Sequence, residues 1–297
     1  MSTSTNARQF IDTHVHFWDL KHPELTYGWL APDATHPILG DIDPIKSVRY
    51  DSTSLWAEAR FSGLVGAVHV QAAVGTPDPV VETGWLSEMA ARSPVPFLIV
   101  ASQDLTGDDV AAQLDRHCAY PLVRGIRDFG TGDFLVDPAF DAGVGLLAER
   151  ELMLDLDCAW PDMAKAHDLA RRHEDVVIVL EHIGYPRDTA DPDYFAGWRD
   201  GISTLAAAPN VHCKISGLGM NRPGWTTDGL RPWVEHCIEQ FGPERCLFGT
   251  NWPVDRLWAS YGDYVDAFST LIEGCSAPEQ QAMLVDNART VYRWPAD

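Results

Sequence analysis

Short apolar runs of seven to ten residues alternate along this chain with longer stretches in which apolar residues return at helical spacing. The short runs favour β-branched and aromatic residues and predict strands over residues 9–17, 64–73, 96–103, 122–129, 152–158, 176–183, 211–218 and 246–252. Helical patterns lie between them, as in Val80 to Arg92, Asp108 to Cys118, Pro138 to Arg150, Pro161 to His173, Tyr194 to Ala207 and Leu230 to Phe241. Another, about Pro278 to Tyr292, ends the chain. Such alternation predicts a parallel sheet, and eight units predict closure into a single (β/α)8 TIM barrel of the α/β class. One domain over residues 1–297 then accounts for the whole chain. The stretch from Lys21 to Asp51, rich in Pro, Asp and aromatic residues, exceeds an ordinary connection and is expected to cover the barrel mouth.

Charge narrows the partners. The 22 Lys and Arg against 43 Asp and Glu leave a net −21, which opposes attraction to nucleic acid or to an anionic membrane. Neither is expected to bind. A small anionic substrate stays compatible, because a few arginines set the field inside a cleft, and so does a homo-oligomer. The first eight residues lack the apolar core of a signal peptide, and no run reaches the roughly 18–20 apolar residues that span a bilayer, so a cytoplasmic protein is expected. Six cysteines are scattered without metal-binding spacing and read as free, buried thiols.

Chemistry concentrates where the predicted strands end. His14 and His16 stand two apart in the first strand, a spacing that sends both imidazoles to one face. The C-terminal ends of barrel strands carry the active site. Read in order they hold His14, His16, Gln71, Gln103, Arg124, Arg127, Asp155, Asp157, Glu181, His182, Lys214 and Asn251. Polar groups on apolar strands are costly unless they face a cavity or one another. Trp18, Tyr185 and Trp252 adjoin them and are expected to wall a ring-shaped substrate. Isolated histidines such as His69, His117, His167 and His212 read as surface or satisfied core residues.

Several segments resemble the amidohydrolase superfamily and, within it, the sugar-lactonase-like branch of metal-dependent TIM-barrel hydrolases. They are Ile11-Asp12-Thr13-His14-Val15-His16-Phe17-Trp18-Asp19, Val70-Gln71-Ala72, Glu82-Thr83-Gly84-Trp85-Leu86 and Val123-Arg124-Gly125-Ile126-Arg127. Further on come Glu181-His182-Ile183-Gly184-Tyr185-Pro186, Lys214-Ile215-Ser216-Gly217-Leu218 and Phe248-Gly249-Thr250-Asn251-Trp252-Pro253-Val254. The resemblance implies that His14, His16 and His182 polarise a lactone carbonyl or hold a divalent metal such as Zn or Mn. It also implies that Arg124 and Arg127 bind a substrate carboxylate or oxyanion, with Gln71 beside them.

Two departures change the expected chemistry. Asn251 stands where the family usually has the water-activating Asp, and an amide cannot accept that proton. The fifth strand, Leu154-Asp155-Leu156-Asp157-Cys158, lacks the superfamily's metal histidine. A tight metal site is therefore under-supplied unless Asp155, Asp157 or Glu181 completes it, and a reaction that requires no metal is expected. The reading is a small-molecule hydrolase, a lactonase opening a sugar-acid or aromatic-catabolite lactone, with His182, Asp157 or Glu181 as substitute base. Its alternatives are a lactone isomerase, in which a substrate hydroxyl replaces water, and an idle barrel that only binds a ligand.

Overall fold

The computed structural model describes residues 8–36 and 38–295, apart from the side chain of Asn221. Eight parallel strands run in sequence order around one sheet: β1 (Phe10–Val15), β2 (Leu64–Val70), β3 (Phe97–Ser102), β4 (Val123–Asp128), β5 (Met153–Leu156), β6 (Ile178–Leu180), β7 (Val211–Ile215) and β8 (Cys246–Phe248). A helix follows each strand, so the architecture is the expected (β/α)8 barrel. The helices take their places by apolar stripes: in Met163–Arg172 the buried residues are Met163, Ala166, Leu169 and Ala170, one face of a 3.6-residue period. Asp137 caps helix Pro138–Ala148, whose first-turn proline is pre-shaped for a helix start. Three helices lie outside the expected ones: Ser52–Ala59, capped by Asp51, the short Leu218–Asn221, and Tyr261–Leu271, opened by a Ser260/Asp263 capping box.

The barrel closes between its first and last strands at the mouth. Val15 bridges Trp252 in parallel, the His16 amide donates to the Trp252 carbonyl at 2.7 Å, and Thr13 Oγ1 donates to the Phe248 carbonyl at 2.8 Å. Gly249 permits this approach, since a Cβ there would lie 2.9 Å from both the His14 Cβ and its backbone nitrogen. Asp12, wholly buried behind the seam, accepts from the Thr250 amide at 2.8 Å, Thr250 Oγ1 at 2.5 Å and the Tyr261 hydroxyl at 2.9 Å. One carboxylate thus pins the turn that carries Asn251 against the strand that carries the histidines. Burial pushes its pKa up to about 6 despite those hydrogen bonds.

The segment after β1 leaves and returns on a two-residue ribbon, Trp18–Asp19 paired antiparallel with Arg49–Tyr50. It is tied down on the mouth where Trp29 Nε1 donates to the Ala72 carbonyl at 2.9 Å and Gly28 N to the Val74 carbonyl at 3.0 Å. Four of the cysteines are buried as expected, but Cys118 is exposed and Cys275 half-buried, because both sit at the outer ends of helices or turns. Among the described residues no helix is long and apolar enough to cross a membrane.

Candidate active site

A cavity of about 300 Å³ opens at the C-terminal mouth, with His16, Gln71, Arg127, Asp157, His182, Tyr185 and Asn251 among its lining residues. His16 Nδ1 lies 2.8 Å from the Val70 carbonyl and must donate to it, which leaves Nε2 with only a lone pair. His14 Nε2, 3.1 Å away, therefore carries the hydrogen between the two rings. Burial lowers His16 to about 3, with Arg127 and His69 adding to the effect, and burial likewise lowers His14, followed by its neighbour His182. The pair is neutral at pH 7.

His182 was expected on a strand, but β6 ends at Leu180 and residues Glu181–Gly184 turn inward. His182 and Ile183 adopt left-handed backbone, φ 51° and 50°, a conformation costing on the order of 1–3 kcal/mol per non-glycine residue. The turn swings the His182 ring to 4.4 Å from that of His14, with Nδ1 2.8 Å from Ser216 Oγ. Gly217 makes room, since a Cβ there would come within 2.6 Å of His182 Nδ1. Burial holds His182 at about 3, although Glu181 beside it pulls the other way.

Arg127 is the fixed cation of the cavity. Its guanidinium donates to Glu181 Oε2 at 2.5 Å, the Tyr185 hydroxyl at 3.2 Å and Gln71 Oε1 at 3.4 Å, and Phe129 lies 4.1 Å beneath it. Burial alone would lower its pKa, but Glu181 outweighs burial and keeps it charged. Arg127 and Lys214 in turn overcome burial at Glu181 and hold that carboxylate below its usual range. Asp157 is the carboxylate among the lining residues, and burial raises it to about 6 against the pull of Arg127.

Asn251, with φ 58°, occupies the left-handed region that asparagine tolerates better than most residues. Its Oδ1 lies 3.2 Å from His16 Nε2, and its Nδ2 donates to Asp255 Oδ1 at 3.0 Å. Asp255 is wholly buried and its pKa is raised by burial to about 7, yet the groups aimed at it are donors from Asn251, Gly219, Met220 and Tyr264. That is the environment of an ionised carboxylate.

Not every expected residue reaches the cavity. Arg124 lies at the opposite end of β4, where it donates to the carbonyls of Pro121, Val123 and Arg293, and its expected contact with substrate is corrected. The reason is strand geometry: the step of three positions from Arg124 to Arg127 carries the chain from the barrel floor to the mouth and sends the two side chains to opposite faces. Trp18 and Trp252 are buried behind the wall, not on it; Trp18 Nε1 donates to the Ser47 carbonyl at 2.8 Å and Trp252 packs edge-on against Tyr261. Conversely, the sequence reading passed over Trp29, Phe129, Met220, Val254 and Asp255. The first four line the cavity, Phe129 from just past β4, Trp29 and Val254 from 3-10 turns and Met220 from the short helix Leu218–Asn221. Asp255 stands four residues past Asn251, and a carboxylate one turn beyond that amide was the signal open to detection.

The family profile described as Amidohydrolase matches residues 11–294. This chain belongs to the amidohydrolase family. The amidohydrolase is 38% identical to protein y4mH of Sinorhizobium fredii over 95% of this chain and 98% of that one. It is 29% identical to the L-fucono-1,5-lactonase of Burkholderia ambifaria, covering 86% of this chain and 83% of the relative. A crystal structure of an amidohydrolase from Burkholderia multivorans with bound zinc superposes with a TM-score of 0.82 at 26% identity, over 97% of this chain and all of that one.

Among the described residues, His14, Asp155 and Glu181 bring ligand atoms within 4.8 Å of one another, a set that shares only His14 with the expected His14, His16 and His182. His14 Nδ1, Asp155 Oδ1 and Glu181 Oε1 are all buried without a hydrogen-bond partner. One imidazole and two carboxylates with free lone pairs fit a divalent ion such as Zn or Mn.

Proposed function

We propose that this amidohydrolase opens a small lactone by adding water. The observation that carries the reading is that one cavity joins a charged guanidinium with donors to spare to a carboxylate, Asp157, while Asn251 cannot take a proton. Arg127 has five N–H donors, and its buried Nε has no partner, so it can receive the oxygen charge that develops on the carbonyl. Asp157 takes a proton from water as the water oxygen bonds to the acyl carbon. The ring C–O bond then breaks and the same proton passes to the departing ring oxygen, which yields a hydroxy acid. A divalent ion held by His14, Asp155 and Glu181 would supply further positive charge favouring the oxyanion.

Trp29 and Phe129 offer flat apolar faces to a ring, which suits a sugar-acid or an aromatic-catabolite lactone. The name of the Burkholderia ambifaria relative favours the sugar acid. A second reading, lactone isomerisation, draws on Asn251 itself, because an amide oxygen that receives no hydrogen from His16 suits a substrate hydroxyl in place of water.

The test is a pH-indicator screen against both lactone classes, with products identified by NMR. Ring-opened acid from the parent and a loss of at least about 10²-fold in Asp157→Asn are expected. A retained rate in Asp157→Asn would overturn the assignment of the base, ring-retained product would favour isomerisation, and no turnover of any lactone would overturn both.

A further inference from the structure

The two ends of an asparagine amide have nearly the same shape and opposite hydrogen bonding: one accepts and the other donates. What stands behind Asn251 therefore decides what the cavity sees. Asp255 stands there, closing one turn in which its own amide donates to the Asn251 carbonyl at 3.2 Å. Its Oδ2 accepts from the Gly219 amide at 3.0 Å, and its Oδ1 is left to the Asn251 side chain at 3.0 Å. A carboxylate in that position can only accept, so the NH2 group must face Asp255 and the carbonyl oxygen must face His16.

The consequence appears on the other side of the amide. His16 Nε2 carries no hydrogen, because Nδ1 spends its own on Val70, and its one lone pair takes the hydrogen of His14 Nε2. Asn251 Oδ1, 3.2 Å from His16 Nε2 on the cavity wall, therefore receives no hydrogen from it. Such an oxygen is a receptor for an O–H donor.

We propose that Asp255 is a positioning residue: it holds the Asn251 amide with its oxygen outward, so that Asn251 Oδ1 accepts from and orients a water or substrate hydroxyl in the cavity. The role rests on the lactone reading for the identity of that O–H group, but the orientation of the amide does not. The carboxylate stands one turn beyond position 251, where it directs the amide in front of it.

The experiment is a double-mutant cycle with an independent structural readout. Asp255→Asn, nearly isosteric, frees the amide to turn and is expected to lower kcat on the lactone that the screen identifies by about tenfold or more, with KM little changed. In an Asn251→Ala background the same substitution should cost nothing further, because the partner it acts through is gone. The exchange Asn251→Asp with Asp255→Asn restores a matched donor and acceptor and should recover folding stability relative to Asp255→Leu. In 15N-labelled protein, the side-chain amide signals of Asn251, identified by their loss in Asn251→Ala, should shift and lose exchange protection in Asp255→Asn. A full loss of kcat persisting in the Asn251→Ala background, or unmoved Asn251 amide signals, would overturn the proposal. If no lactone is turned over, the lactonase reading fails while the amide signals still decide the role of Asp255.

Discussion

Lys214 Nζ lies 2.5 Å from Asp155 Oδ2 in the centre of the barrel, and neither side chain has any exposure. A buried pair of this kind is worth little against apolar residues of the same shape, but either member alone is an uncompensated charge. Lys214→Met is therefore expected to cost about 3–5 kcal/mol in urea unfolding. The double variant Lys214→Met, Asp155→Leu should recover a large part of that loss. A single variant as stable as the parent would show that the pair is not ionised.

The two arginines of β4 should separate cleanly. Arg127→Met removes the proposed oxyanion partner and should lower kcat by on the order of 10²-fold or more. Arg124→Ala, at the barrel floor, should leave kcat and KM within about twofold and act on stability alone, because its bonds run to the carbonyls of Pro121, Val123 and Arg293. A large rise in KM for Arg124→Ala would contradict its placement.

Metal uptake is expected to follow the buried cluster and not the cavity wall. Zinc titrated into metal-free protein should bind at least about tenfold more weakly in Asp155→Asn or Glu181→Gln, measured by calorimetry and by metal content after dialysis. His16→Ala should leave binding close to the parent. The reverse pattern would place the ion on the histidine pair.

Acid response can be assigned to groups away from the cavity. Burial lowers His117 and His212 to about 4 from an ordinary 6.5, so the unfolded chain binds protons first as pH falls. Their contribution to stability is full above about pH 6.5 and is lost as pH drops toward 4. Buried carboxylates raised to about 6, Asp12 and Asp157, act in the opposite direction, so the difference between parent and variant is the quantity to read. His117→Gln and His212→Gln should each flatten the fall in urea midpoint across that window. An unchanged pH slope in both would assign the acid loss to other groups.

What the sequence determined by itself was local or periodic. The alternation of runs declared eight strand–helix units, and the two-residue spacing of His14 and His16 put both imidazoles on one side, because side-chain direction in a strand depends on the chain's own repeat. The resemblance to amidohydrolases rested on the same short segments, and the family profile spans them. Tertiary structure alone decided what depends on where a strand stops and which strand lies opposite. Arg124 and Arg127 look alike in sequence, yet a step of three positions along β4 separates floor from mouth. His182 reaches His14 only because β6 ends early and its backbone turns left-handed. Asn251 meets His16 across 235 residues, and Asp255 meets Asn251 through a turn pinned by Asp12 and Thr250. Closure of the barrel sets those contacts, since no local spacing encodes the register between its first and last strands.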